Sequence, residues 1–462
     1  MIEIHVADFL IGPNQRIIER GAVVFSRSRI LHVGPFEETL QRFGEAKVTD
    51  HGHAVLSPGF VNAHMHMYGV LAHGLASPVP ITSFESFLND YWWPLVENQL
   101  DGKMIGAASE HAALESIDSG VTTLCDVLEA PLAAQEGLSV AAHVLASIGL
   151  RSVLSVECSE RLGTSEGLDC LQANLSFAQR MRQRPEGVVS SMLCLHTAFT
   201  CSAPFIRQAI DLADAHGIDI QLHLNESDYE PQWVLAQHGE RTVQWYDRLG
   251  LLSDRLVAAQ CVRLDPSEIG LLAKHKVRAV HVPISNCEVG GGISPVPDML
   301  EAGIPVGLGT DGYINNFFEL MRWAFLVHKG HRRSTQVMPA HTVWNMATQM
   351  GAQVVFGVAG CPVGLLAPEC WADFQVISLD SLPTFVHPDN LFEQLVLYRN
   401  PSDVREVYIA GRQVKHAGRL LGGDLAKARE ATRMEANRLR VRGVEAARVI
   451  RGERGKPQDA TE

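Results

Sequence analysis

The sequence predicts an α/β fold, a (β/α)8 TIM-like barrel with a small β-sandwich domain built from both chain ends. Three observations predict it. Eight apolar runs recur between about residues 60 and 312: "VNAHMHM", "GVTTLCDV", "LRSVLSVE", "VSSMLCLHT", "IDIQLHLNE", "LVAAQCVRL", "VRAVHVPIS" and "IPVGLGTDG". Amphipathic helical stretches such as "APFIRQAIDLADAHG" and "SEIGLLAKHK" lie between them, and eight strands each followed by a helix fit a closed barrel better than an open sheet. Short alternating strands stand at both chain ends, where no such helices intervene.

Residues 1–56 read as sandwich strands in "IEIHVADFLI", "GAVVFSRSRILHVG" and "AKVTDHGHAVLS". Residues 57–360 form the barrel. Strand texture returns over 361–422 in "ADFQVISLD" and "VREVYIAGRQVKHAGR", the second part of the sandwich, and 423–462 is a charged amphipathic helix and tail. There is no internal repeat and no low-complexity linker.

The composition narrows the function. With 462 residues, 46% hydrophobic and 20% charged, the chain supports a sizeable core. A net charge of −13 argues against a nucleic-acid partner, which needs clustered Lys and Arg. The one basic stretch, "RMEANRLRVRGVEAARVIRGER", carries interspersed acids and reads as a solvated helix face. No secretory signal and no apolar span of bilayer length is visible, so a cytoplasmic protein without a membrane partner is expected. Nine cysteines without C-x-x-C spacing suggest neither a disulfide framework nor a zinc ribbon.

In such a barrel the chemistry sits at the C-terminal ends of the strands, so the polar residues that close each run matter most. Strand one ends with His64 and His66, which the two-residue period of a strand points the same way. Strand five ends with His223, followed three residues later by Glu226, and strand eight delivers Asp311. Three imidazoles and a carboxylate suit one divalent metal, Zn or Fe(II). A metal there would lower the pKa of a bound water toward neutrality, and Glu226 could pass its proton to a leaving group.

"LSPGFVNAHMHMYG", "LHTAFTCS", "LHLNES", "HVPISN" and "GLGTDG" together resemble the amidohydrolase superfamily. The resemblance is particularly to the metal-dependent branch containing S-adenosylhomocysteine and methylthioadenosine deaminases, guanine deaminase and atrazine-type chlorohydrolases. It runs from the N-terminal strands to "GLLAPECWADFQVISLD". It implies that His64, His66, His223 and Asp311 hold the metal, that Asp311 also holds the attacking water, and that Glu226 shuttles the proton. It further implies that His196 contacts the substrate ring and that His281, Ser285 and Asn286 shape the pocket. Phe87 aligns with an aromatic position that covers a heterocycle; core packing with Trp92 and Trp93 is the alternative.

One position departs from the family. Its sixth strand usually ends "AHC", whereas this chain reads "AAQC", with Gln260 where a histidine would polarise the bond under attack. A glutamine cannot carry a proton, but its amide can orient a water or substrate. The same change removes a ligand to a second metal, so a single metal is expected. Arg263 either reaches an anionic substrate or makes a solvent-facing salt bridge.

The reading that follows is a mononuclear hydrolase acting on a small molecule, attacking a ring carbon of an amino- or halo-substituted N-heterocycle of purine, pterin or s-triazine type. Hydrolysis of an amide, urea or carbamate-like C–N bond is the alternative, and a non-catalytic scaffold is a third. The helix "FFELMRWAFLVHK" is apolar on more than one side and suits a homo-oligomer interface. The glycines Gly290 to Gly292 either let backbone approach a ligand or form a permissive turn.

Overall fold

The protein is described by a computed structural model covering residues 2–77, 80–184, 187–357, 363–381 and 383–450. The 360/361 boundary, Cys361 and the tail beyond 450 lie outside the described residues. The first sheet begins with β1 (Ile2–Ile11), β2 (Ile17–Ser26), β3 (Arg29–Pro35), β4 (Lys47–Asp50) and β5 (Ala54–Pro58). The barrel strands are β6 (Phe60–Met65), β7 (Val121–Leu128), β8 (Arg151–Cys158), β9 (Val189–Ser191), β10 (Leu193–Leu195), β11 (Ile220–Leu224), β12 (Leu256–Gln260), β13 (Arg278–His281) and β14 (Val306–Leu308). The chain then returns to the first sheet with β15 (Phe374–Ser378), β16 (Val404–Ile409), β17 (Arg412–His416) and β18 (Arg419–Leu420).

The expected barrel is present and closed. All its strands pair in parallel, and β14 meets β6 through Leu308 and Asn62. The fourth strand differs in being split into β9 and β10, with β10 bridging β8 to β11. Strands such as β7, "VTTLCDVL", are buried at every position. That is why their sequences read as continuous apolar runs rather than as alternation.

Local chemistry sets the helices between them. Ser202 caps the helix Ala203–His216 by accepting from Phe205 N, and Gly217 ends it with φ 57°. Asp265 caps Pro266–Lys274 in the same manner. After β6, however, the chain runs through short helical turns and a π-helical stretch, Phe87–Trp92, before the helix Gly102–Asp118 begins.

The two chain ends meet where β15 lies antiparallel to β5, continuing the sheet β18-β17-β16-β15-β5-β1-β2-β3. A buried ion pair ties this sheet to the barrel: Arg151 Nε, on β8, donates to Asp373 Oδ2 at 2.6 Å, and Asp373 Oδ1 accepts from Ala410 N. The C-terminal helix Leu425–Ile450 packs along Gly102–Asp118, with Thr432 donating to the Ala107 carbonyl. Its basic face is largely exposed, as expected of a solvated surface, although Arg442 Nη1 reaches the Gln99 carbonyl. The eight described cysteines are free. No described helix is long and apolar enough to cross a membrane.

Candidate active site

The strand ends bring most of the predicted residues, among them His66, His223, Glu226 and Asp311, to one cavity of about 950 Å³, with His64 clustered beside them. His64 closes β6 with Nδ1 2.7 Å from Gln221 Oε1. This amide oxygen can only accept, so Nδ1 carries the proton and Nε2 presents a lone pair. His66 is oriented likewise, with Nδ1 donating to the Val127 carbonyl at 2.8 Å. His223 Nε2 lies 3.4 Å from His66 Nε2. The three rings are buried, and His64 Nε2 has no hydrogen-bond partner.

Asp311 completes the set from the other side of the closure. Its backbone takes φ 55° and pairs with β6 in both directions, Asp311 N to the His64 carbonyl and His66 N to the Asp311 carbonyl. The loops can approach this closely because Gly69 and Gly312 face each other: a Cβ on Gly69 would lie 2.4 Å from the Gly312 carbonyl oxygen. Asp311 Oδ1 stands 2.9 Å from His66 Nε2 and 3.6 Å from His64 Nε2. Burial would raise this carboxyl, but His66 and His64 outweigh it and hold Asp311 well below the ordinary carboxylate range.

These donors fit a divalent metal. Three imidazole nitrogens lie within 4.8 Å of one another, two of them on rings whose other nitrogen is hydrogen-bonded away, beside an ionised carboxylate, and a buried imidazole lone pair without a partner is what a metal would satisfy. Gln221, which fixes His64, was not singled out in the sequence; its signal is its position two residues before His223 on β11. Gln221→Leu should weaken metal affinity roughly 10- to 100-fold without removing a ligand, measured by competition with a chelator.

Gln260 sits at the end of β12 with φ 74°, followed by Cys261 at φ 52°. Two successive non-glycine residues in the left-handed region are costly and are held here by tertiary contacts. Both ends of the amide are engaged: Nε2 donates to Asp311 Oδ2 at 3.0 Å, and Oε1 accepts from Asn286 Nδ2. Ser285 Oγ also donates to Asp311 Oδ2. Gln260 therefore aims Asp311, a positioning role.

Glu226 lines the cavity after β11 and has no close partner of its own among the described residues. Burial, then the charges of Asp311 and Glu129, push its carboxyl well above the ordinary range, suiting it to hold a proton. Its backbone is approached by the glycine loop, since a Cβ on Gly291 would lie 2.4 Å from the Glu226 carbonyl oxygen. The close approach at Gly291 is to the protein's own backbone rather than to a ligand, and Gly290 and Gly292 take the positive φ of a permissive turn. Glu230, which the sequence reading did not pick out, orders the same turn by accepting from Ala198 N and Asn225 N.

The remaining predicted residues divide. His196 and Ser285 line the cavity, and Phe87 does so while stacking on Trp92 at 5.4 Å, which combines its two readings. His281 and Asn286 do not line it. His281 turns away toward His328, Nε2 to Nε2 3.0 Å, and Asn286 stands behind Gln260, so neither contacts the cavity directly as the sequence reading expected. Arg263 pairs with Asp228 at 3.1 Å on the exposed rim, the salt-bridge alternative.

The largest omission of the sequence reading is an acidic wall. Glu97, Glu129 and Glu157 are all buried beside the site, Glu97 paired to Arg161 at 2.7 Å. Nearby Asp126, buried on β7, has its carboxyl pushed up to about 7, chiefly by burial, against the Met67 N–H that it accepts. A raised carboxyl means that the folded state keeps a proton that the unfolded chain releases near 3.8. Its contribution to stability is therefore full below that value and is lost as pH rises toward 7. Asp126→Asn should flatten this dependence: relative to wild type, denaturation of the metal-free protein should show the variant gaining up to about 4 kcal/mol between pH 4 and 7.

The amidohydrolase family model matches residues 55–414, the barrel together with most of the returning sheet. The chain belongs to the amidohydrolase family. Among its relatives, the 5'-deoxyadenosine deaminase of Methanopyrus kandleri is 33% identical over 374 residues, covering 80% of this chain and 83% of the relative. The 5-methylthioadenosine/S-adenosylhomocysteine deaminase of Syntrophobacter fumaroxidans is 32% identical over 434 residues, covering 93% and 96%. An adenosine deaminase from Xanthomonas campestris, solved with bound zinc, shares the fold at a TM-score of 0.84 and 24% identity, covering 95% of this chain and 98% of its own.

Proposed function

We propose that this amidohydrolase is a mononuclear metal-dependent deaminase that releases ammonia from an amino-substituted N-heterocycle, an adenosine-type purine being the first substrate class to test. The observation that carries the reading is the convergence of Glu226 with His66, His223 and Asp311 in one cavity large enough for a nucleoside, His64 being clustered with the other two imidazoles. The names of the two relatives that align over most of the chain support the purine class.

His64, His66, His223 and Asp311 would hold one divalent metal, zinc or ferrous iron, whose Lewis acidity makes a water nucleophilic at neutral pH. The chain's own groups do the rest. Asp311, its Oδ2 fixed by Gln260 and Ser285, keeps Oδ1 turned toward His66 and His64, where it would hold the metal and its water. Glu226, as the carboxylate, would take one proton as the water's oxygen adds to the ring carbon and give it to the adjacent ring nitrogen; the second proton, from the added hydroxyl, would pass by the same carboxylate to the amine, which leaves as ammonia. Water's oxygen thus replaces the amino nitrogen and the ring stays intact. Tyr68, Trp92 and Phe87 wall the cavity on one side, with an aromatic face for a flat ring.

Exposed Trp323 and Leu326 on the helix Phe317–Arg332 support a homo-oligomer, and the acidic net charge supports a cytoplasmic enzyme without a nucleic-acid or membrane partner. The test of the function is ammonia release from adenosine, 5'-deoxyadenosine and methylthioadenosine by the zinc-loaded protein. Turnover of at least one, with the ring retained, is expected; the absence of ammonia from all three would reject the purine assignment.

A further inference from the structure

Two neighbouring strand-end turns beside the cavity share one buried carboxylate. Glu230 lies in the first turn of the helix Tyr229–His238 and is 2% exposed. Its Oε1 accepts from Ala198 N at 2.7 Å, in the turn that follows β10 and His196. Its Oε2 accepts from Asn225 N at 2.6 Å, in the turn that leads from β11 to Glu226. Behind it, the hydroxyl of buried Tyr246 lies 3.4 Å from Oε1. Asn225 itself takes φ 49°, the left-handed region, where a side-chain-bearing residue depends on its surroundings. Its carbonyl is anchored separately, accepting from Val262 N at 3.2 Å and Arg263 N at 2.9 Å. The N–H side of this turn is therefore what Glu230 fixes.

Glu226 has no close partner of its own among the described residues, so the backbone that carries it sets where its carboxyl stands. We infer that Glu230 is a positioning residue for the proposed reaction: by clamping Asn225 and Ala198 to one carboxylate, it places Glu226 against the metal ligands. A carboxylate suits this task because each of its oxygens meets a backbone N–H. A glutamine there offers one oxygen and one NH2 group, so whichever way the amide turns, NH2 confronts a backbone N–H. One of the two turns is then released. A displacement of about 1 Å at a reacting group costs on the order of 10²-fold in rate. The inference rests on the deaminase reading for the work that Glu226 does.

A double-mutant cycle between Glu230→Gln and Glu226→Gln tests this on the zinc-loaded full chain, with ammonia release as the rate. Glu230→Gln alone is expected to lower kcat at least about tenfold with zinc per chain unchanged, and to lower it less than about threefold when Glu226 is already glutamine. Equal losses in the two backgrounds, or a loss of less than about threefold in the first, overturn the inference, since a merely structural role is indifferent to Glu226. If Glu230→Gln does not fold, Glu230→Asp, which keeps the charge but is one methylene shorter, is read by the same cycle. Hydrogen exchange followed by mass spectrometry gives a reading without substrate. Peptides spanning residues 196–200 and 223–228 should exchange at least about tenfold faster in the variant, and those of β6 should be unchanged. Unchanged exchange at both turns overturns the inference whether or not the protein releases ammonia. Failure of the deaminase reading shows itself separately, as absent ammonia release by wild type with the exchange difference intact, which supports the clamp.

Discussion

Glu226→Gln is expected to lower kcat by about 10²- to 10⁴-fold while the protein retains its metal and its fold. The substitution keeps the shape of the side chain but removes the proton that it must accept and return. Burial and the neighbouring carboxylates Asp311 and Glu129 hold the proton on Glu226, and a glutamine cannot substitute for that exchange. Steady-state ammonia release with elemental analysis of the same sample checks it. Activity within a few-fold of wild type would take Glu226 out of the mechanism.

His64→Ala is expected to lose the metal altogether, and activity with it. His64 is fully buried, its Nε2 points into the ligand set and Gln221 holds its other nitrogen. Removing the ring leaves two imidazoles and one carboxylate and exposes the Gln221 oxygen as a buried acceptor without its donor. Elemental analysis should fall from about one metal per chain toward zero. Because a bound metal stabilises only the folded state, added zinc should raise the Tm of metal-free wild type and leave that of the variant unmoved. The two substitutions separate the roles: one spares the metal and stops turnover, the other removes both.

Much of this was legible in the sequence because strand ends in a barrel project in fixed directions. His64, His66, His223 and Asp311 are separated by up to 247 residues, yet each closes an apolar run, and parallel pairing around a closed sheet brings run ends together. Groups that work one step behind were harder to see. Gln221 and Glu230 lie within ordinary strand and helix patterns, and only the tertiary fold shows that one orients His64 while the other ties two loop amides. His281 was misplaced because the strand-end rule gives depth along the barrel but not the ring's rotation, and the space facing it is filled by His328 from the next layer of helix. Glu129 and Glu157 read as unremarkable acids at the ends of the second and third strands. Burial makes them chemically notable, and burial follows from packing that one sequence does not display.

Gln260 illustrates the same limit from another direction. The family resemblance marks it as a missing proton carrier, whereas in the fold its left-handed backbone and its bond from Asn286 hold its amide against Asp311. In the proposed mechanism the proton chemistry therefore rests on Glu226.

The central claim, a one-metal deaminase, is tested most directly by measuring ammonia and ring product together from the zinc-loaded protein supplied with an adenosine-type nucleoside. One ammonia per ring-intact, oxygen-substituted product is expected, at about one metal per chain. Cleavage into two organic fragments, or turnover that persists after the metal has been removed, would contradict it.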